Sequence, residues 1–356
     1  MNHSSLVAAL KTAEPIKIME VCGTHTSAIY KSGIRSLISS NITLVSGPGC
    51  PVCVTPASAI DSLITHAENS VVLSFGDMFR VPGSRYCLAQ VKAQGARVQL
   101  IYSPLEALTL AKARPDTKFI IAAVGFETTA PIYAAIIEAC ILEDIRNISL
   151  HTSLKTIPEA LAYICAHEQI DAFICPGHVS AVIGSAPYQA LAEKYRKPFV
   201  IAGFEAEHIL AAIFEALIQK KTGRYEVKNL YPSVVRDSGQ TKALSILEKY
   251  FEKTNSFWRG IGEIENSGYV IKKEYERFSA NNLASAEEDN LPEGCRCADV
   301  MLGRIMPGQC ALFGNECTPQ TPVGPCMASS EGACGIYVGE YKHPRRGFHA
   351  PPTKEA

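Results

Sequence analysis

The chain has 356 residues, 47% of them apolar and 19% charged, and its formal net charge is −1. That length suits two or three domains, and the composition is that of a globular protein. So small a net charge gives no field to draw nucleic acid or an anionic membrane, and no apolar run approaches the roughly 20 residues that a bilayer span needs.

Met1 to Ile16 has no basic region followed by a long apolar core, so no secretory leader is expected and the chain should be cytoplasmic. In that reducing compartment, clustered cysteines are more often metal-binding or redox-active than disulfide-bonded. From Ile16 onward, short β-rich runs alternate with helical stretches, the pattern of an α/β protein with a mostly parallel sheet. Strands are predicted at Ile16–Val21, Ile42–Ser46, Val71–Phe75 and Val98–Tyr102, then at Phe119–Val124, Ile148–His151, Ala172–Cys175 and Phe199–Ala202. Helices are predicted between them at Ser58–His66, Leu105–Ala113, Pro131–Leu142, Pro158–His167 and Ala206–Gln219.

The two sets of four strands look like a repeat. Val21-Cys-Gly-Thr-His-Thr resembles Val124-Gly-Phe-Glu-Thr-Thr, and Phe75-Gly-Asp stands where the second half has Cys175-Pro-Gly-His. The expectation is two similar open α/β domains, 1–116 and 117–235, with functional loops at the carboxyl ends of their strands. A smaller cysteine-rich domain, 236–356, follows. Within it Thr241 to Tyr250 reads as an amphipathic helix, Trp258 is the lone tryptophan, and Ser279 to Asn290 reads as a linker. The tail from His343 to Ala356 is expected to be mobile.

Three groups of thiols stand out. Cys22-Gly-Thr-His25 leaves a strand for a helix, where the dipole at a helix N-terminus favours thiolate, the form that binds soft metals. His25 could ligate, hydrogen-bond the sulfur or move a proton. Gly47-Pro-Gly-Cys-Pro-Val-Cys53 places Cys50 and Cys53 in a CxxC after a strand, a dithiol/disulfide pair or half a metal site. The third group is six of the thirteen cysteines, Cys295, Cys297, Cys310, Cys317, Cys326 and Cys334, on glycine- and proline-rich backbone. So little apolar material cannot build a sizeable core, so disulfides, zinc or an iron–sulfur cluster should hold the segment. Zinc ribbons want paired CxxC knuckles, and the segment has none. The spacing Cys297-x12-Cys310-x6-Cys317-x16-Cys334 offers four thiolates for one [4Fe–4S] cluster and favours it over zinc. Cys295 and Cys326 are left over, and either could replace one of the four.

In the second half, Gly125-Phe-Glu-Thr-Thr-Ala-Pro131 suits a helix cap, or an anion- or partner-binding loop with Glu127 facing a cleft. His178 sits on the glycine turn Cys175-Pro-Gly-His, and Glu205 follows in Gly203-Phe-Glu. No Gly-x-Gly-x-x-Gly or P-loop stands in a strand–turn–helix setting, no Ser/His/Asp signature occurs, and no basic stripe carries interleaved aromatics.

Taken together, these motifs resemble the HypD family of hydrogenase maturation proteins. The match runs in order through Cys22-Gly-Thr-His-Thr26, Gly47-Pro-Gly-Cys-Pro-Val-Cys53, Gly76-Asp-Met, Arg80-Val-Pro-Gly-Ser84 and Tyr102-Ser-Pro-Leu105. It continues through Gly125-Phe-Glu-Thr-Thr-Ala-Pro131, Pro176-Gly-His-Val-Ser180, Gly203-Phe-Glu205, Phe313-Gly, Cys317-Thr-Pro and Gly324-Pro-Cys-Met-Ala-Ser-Ser-Glu-Gly-Ala-Cys334. One departure is local: the family carries histidine directly before the lysine of the segment ending at Pro158, where this chain has Leu154.

The resemblance implies two α/β domains plus one around a [4Fe–4S] cluster, whose ligands carry over to Cys297, Cys310, Cys317 and Cys334. It implies a scaffold on which the Fe(CN)2CO unit of [NiFe]-hydrogenase is assembled before transfer to the large subunit. Cys22 would hold that iron jointly with a small chaperone, HypC, while HypE docks and delivers cyanide. Cys50 and Cys53 would relay electrons between cluster and iron, with His25, Glu127 and His178 as candidates to move protons. On this reading the chain is a redox-active accessory rather than an independent turnover enzyme. Two competing readings are a cluster-dependent disulfide reductase acting through Cys50 and Cys53, and a zinc-stapled interaction protein.

Overall fold

A computed structural model describes residues 3–11, 13–281 and 291–341. Eleven strands form two sheets among these residues. The strands are β1 (Ile16–Glu20), β2 (Ile42–Ser46), β3 (Val71–Ser74), β4 (Val98–Leu100), β5 (Phe119–Gly125), β6 (Ile148–Lys155), β7 (Ala172–Cys175), β8 (Phe199–Ile201), β9 (Val227–Asn229), β10 (Phe251–Trp258) and β11 (Gly262–Ile271). One sheet has the order β2-β1-β7-β8-β9 and is parallel throughout. The other has the order β10-β11-β6-β5-β3-β4, parallel except where the β10–β11 hairpin joins β6 antiparallel. The α/β class with mostly parallel sheets therefore holds. The central strands β5, β7 and β8 read as unbroken apolar runs and are buried at every position, as in parallel sheets covered on both faces.

The predicted repeat is present strand by strand, but the sheets are not divided as expected. The four strands β2-β1-β7-β8 stand in the same order and sense as β6-β5-β3-β4. Each half of the chain thus gives one strand pair to each sheet: β1 and β2 pair with β7 and β8, and β3 and β4 pair with β5 and β6. A boundary at residue 116 separates neither sheet. The physical reason is connection length: β2 and β3 are joined by the CxxC loop and the helix Ala57–His66, long enough to reach a second sheet.

The remaining helices fall close to expectation, with Thr241–Tyr250 as predicted. The hairpin β10–β11 was not foreseen, because its strands are charged and polar outside Phe251, Phe257, Trp258, Ile264 and the apolar end of β11. It is anchored from β6 by the buried Lys155, whose ammonium donates to Ser256 Oγ and to the Phe257 carbonyl at 2.6 Å.

The cysteine-rich segment is present as a compact stretch of short helices and turns, and it does not stand on its own core. Cys297, Val300, Met301, Met327, Ala333 and Val338 join one apolar cluster with Met19, Val21, Val45, Phe173 and Trp258. The expected linker from residue 282 onward, and the tail expected to be mobile, lie outside the described residues. Among the described residues, no helix is long and apolar enough to cross a membrane.

Candidate functional site

β1 and β2 deliver the first two thiol groups to the same sheet edge. Cys22 is the N-cap residue of the helix Gly23–Lys31, with extended backbone. Its sulfur receives the backbone N–H groups of Thr24 and His25, the orphan donors of a first helical turn. The expectation that the helix end would favour thiolate is overturned: burial outweighs these donors and pushes the thiol up to about 11. Below Cys22 stands Glu20, a carboxylate at the end of an apolar strand and 2% exposed. It accepts the Cys22 backbone N–H at 3.2 Å and the Thr26 hydroxyl, and burial raises its pKa to about 7. The sequence reading passed over Glu20; a lone carboxylate closing Ile-Lys-Ile-Met was the available signal.

The CxxC loop comes directly against this strand end. A Cβ on Gly49 would lie 2.7 Å from the Cys22 backbone nitrogen and 2.5 Å from the Val21 carbonyl carbon, so only glycine lets the two motifs touch. Cys50 and Cys53 are both buried and both free thiols. Cys53 donates its backbone N–H to Cys50 Sγ at 3.2 Å. The Cys50 thiol donates to Ser329 Oγ at 3.3 Å. Burial, first of all, holds the Cys53 thiol well above its ordinary range.

The C-terminal segment closes over both. Gly23 packs so tightly on Glu331 that a Cβ would lie 2.5 Å from its carbonyl oxygen. Asp77, from the Gly76-Asp-Met motif, accepts hydrogen bonds from Ser329 Oγ, Ser330 N and Ser330 Oγ. Arg80 donates to the carbonyls of Pro319 and Ala328 at 2.8 and 3.2 Å. One cavity is lined by Gly23, Thr26, Gly49, Cys50, Cys53, Cys326 and Glu331 together.

A second cavity lies further along. Cys297, Cys310, Cys317 and Cys334 all line it, joined by Cys295. Cys326 stands between the two cavities: its backbone N–H donates to Cys297 Sγ at 3.3 Å, and its thiol is in hydrogen-bond contact with those of Cys53 and Cys297. Sulfur thus runs without a break from Cys50 through Cys53 and Cys326 to Cys297 and Cys334. Burial keeps Cys297 and Cys317 neutral, so a metal taken up here must displace protons. Four soft thiol donors around a space, rather than converging on a point, suit a polynuclear iron–sulfur group. Among the described residues, no three His, Cys, Asp or Glu side chains come together closely enough for a lone ion.

The second-half residues divide. His25 and His178 flank the ring of Phe204, with centroids at 4.7 and 4.3 Å. His25 Nε2 lies 3.2 Å from the Gly203 carbonyl, and burial lowers its pKa to about 4, so it is neutral. His178 and Glu205 are exposed. Glu127 does not open onto a cleft. It is 2% exposed and accepts the Ile157 N–H at 3.0 Å, which caps the helix Ile157–His167. Burial raises its pKa to about 8.

A parallel α/β frame that gathers thiols from both ends of one chain is the class that fold and site define. A family model described as HypD, Hydrogenase formation hypA family, matches residues 2–342. The hydrogenase maturation factor HypD of Rhodobacter capsulatus is 42% identical over 341 residues, 92% of this chain and 90% of that protein. The factor of the same name from Escherichia coli K12 is 40% identical over 334 residues, 92% and 90%. The hydrogenase expression/formation protein HupD of Azotobacter chroococcum is 39% identical over 345 residues, 93% and 91%. The chain belongs to the HypD family of hydrogenase maturation factors.

Proposed function

We propose that this chain is the scaffold on which the Fe(CN)2CO unit of [NiFe]-hydrogenase is put together before it passes to the large subunit. The iron is cargo, held at Cys22 and shared with the chaperone HypC, while HypE brings cyanide. Cys297, Cys310, Cys317 and Cys334 would hold a [4Fe–4S] cluster, which when bound supplies electrons one at a time. Cys50 and Cys53 act as the dithiol that stores two of them. The thiols need the reducing cytoplasm to stay in this state.

The observation that carries this reading is the unbroken run of sulfur from Cys50 to Cys297 and Cys334, with Cys22 packed against the same loop through Gly49. Cys22 has the role of soft ligand: it gives up its proton on taking iron, and the Thr24 and His25 N–H groups then stabilise the thiolate. Electron-rich sulfur at that position adds density to the iron and so supports back-donation to cyanide and carbon monoxide, the strong-field ligands that make it low-spin. The rival reading, reduction of protein disulfides, meets an obstacle in this conformation, because Cys50 and Cys53 are 5% and 1% exposed.

The test is anaerobic co-purification of Cys22→Ala with HypC, followed by iron analysis and infrared spectroscopy. The variant should lose the cargo iron and its cyanide and carbon monoxide bands while keeping the cluster's absorbance. Loss of both together would make Cys22 structural and defeat the proposal.

A further inference from the structure

A buried dithiol has a proton problem. Closing the Cys50–Cys53 disulfide removes two electrons and two protons; opening it breaks the S–S bond and returns both. The pair is largely shut off from bulk water, at 5% and 1% exposed, among Cys326, Pro325 and the apolar cluster. A proton must therefore cross the protein each time the pair changes state.

One hydrogen-bonded path leads out. The Cys50 thiol donates to Ser329 Oγ at 3.3 Å. The Ser329 hydroxyl donates to Asp77 Oδ2 at 3.3 Å. Ser329 is 2% exposed, whereas Asp77 is half-buried and its carboxylate is also held by the exposed Ser330, at 2.8 Å from Ser330 Oγ. The arrangement is thiol, hydroxyl, carboxylate, solvent. It joins three parts of the chain: the CxxC loop, the Ser329–Ser330 turn of the cysteine segment, and the 3-10 turn Gly76–Arg80.

We propose that Asp77, acting through Ser329, is the proton relay of the Cys50–Cys53 pair. In the oxidising direction, the Cys50 proton passes to Ser329 as the Ser329 proton passes to the Asp77 carboxylate and on to solvent. The Cys53 proton follows through Cys50 by the same path, and the S–S bond forms as two electrons pass in turn to an added one-electron acceptor such as ferricyanide. In the reducing direction, a low-potential one-electron donor, an iron–sulfur centre or dithionite, supplies two electrons in turn. The S–S bond breaks and Asp77 returns a proton to Cys50 through the same hydroxyl. The second proton moves from Cys50 to Cys53, whose thiols are in hydrogen-bond contact, and the path reloads from solvent. Of the charged groups around Asp77, Glu331 has its carboxyl raised first by burial and then by the Asp77 charge, and Arg80 on its own turn has its guanidinium engaged by two carbonyls.

This rests on the redox reading of the CxxC, and the experiment separates the two. The holoprotein is oxidised, mixed anaerobically with dithionite in H2O and in D2O, quenched with iodoacetamide at set times, and the Cys50–Cys53 peptide is weighed. Asp77→Asn keeps an oxygen to accept the serine bonds but cannot carry the proton. It should slow thiol formation at least tenfold and enlarge the solvent isotope effect, Ser329→Ala should do the same, and Asp77→Glu should restore most of the rate. Cluster absorbance should be unchanged, and the rates of the variants should not follow their unfolding temperatures, which the lost bonds to Asp77 and Ser329 lower in their own right. An Asp77→Asn rate and isotope effect equal to wild type would overturn the relay. So would slowing that tracks a fall in unfolding temperature and is not rescued by Asp77→Glu, which would make Asp77 a clamp. If wild type forms no Cys50–Cys53 disulfide, the redox reading fails in that arm alone, and the relay with it.

Discussion

Glu127 is a carboxyl that the fold keeps protonated. Its pKa rises from the usual carboxylate range to about 8 because burial penalises the anion. The folded state therefore holds a proton that the unfolded state releases, and this stabilisation is complete below about pH 4.5 and is lost as pH rises through about 8. Glu20, raised to about 7, acts in the same sense, whereas neutral His25 and His151, lowered to about 4, act in the opposite sense. A difference measurement isolates Glu127. Unfolding temperature against pH should fall more steeply between pH 5 and 8 in wild type than in Glu127→Gln, which carries no proton to lose. Glu127→Ala should cost about 1–2 kcal/mol, since the Ile157 N–H loses its acceptor. At this scale the sequence was legible for thiols and less so for carboxylates. Cysteine spacing is visible in one dimension. The burial that raises the Glu20 and Glu127 carboxyls comes from strands and helices far along the chain.

Among the elements, the CxxC loop depends on one contact. Gly49→Ala would drive a methyl group into the Val21–Cys22 backbone. It should cost about 1–3 kcal/mol of stability, read as a lowered denaturant midpoint, and should shift the reactivity of Cys22 toward a thiol reagent. Gly95, with a positive φ and nothing near its Cβ position, makes a control in which substitution strains only its own backbone. The cysteine segment is held partly by Arg80 and Asp77. Arg80→Ala should speed proteolytic cleavage within residues 317–331 while leaving the two sheets protected. The sequence foretold the parallel strands β1 to β8 from their β-rich runs, and the Thr241–Tyr250 helix from its amphipathic period, but not the short parallel strand β9. It missed β10 and β11 because an added antiparallel hairpin with one face in water has too few apolar residues to mark it. It also understated the packing of the cysteine segment, whose scattered apolar residues join a cluster that includes Met19 of β1 and Val45 of β2.

For the molecule as a whole, the exchange of strand pairs has a direct test. A fragment of residues 1–116 would carry β1 and β2 without β7, and β3 and β4 without β5. Each pair would lose its central neighbour and expose a long apolar edge. Expressed alone, it should show no cooperative thermal transition and should aggregate, whereas two intact tandem domains would each melt on their own. The repeat itself was legible in the motifs; the exchange was not, because local sequence records which strand resembles which and not which sheet each one enters. The chain crosses between sheets three times, and the first crossing, from β2 to β3, carries residues 47–56. That loop is one of the three connections that tie the sheets together. The dithiol therefore lies on a strap between the two sheets, so that a large body docked across both would press on the spacing of two sulfur atoms.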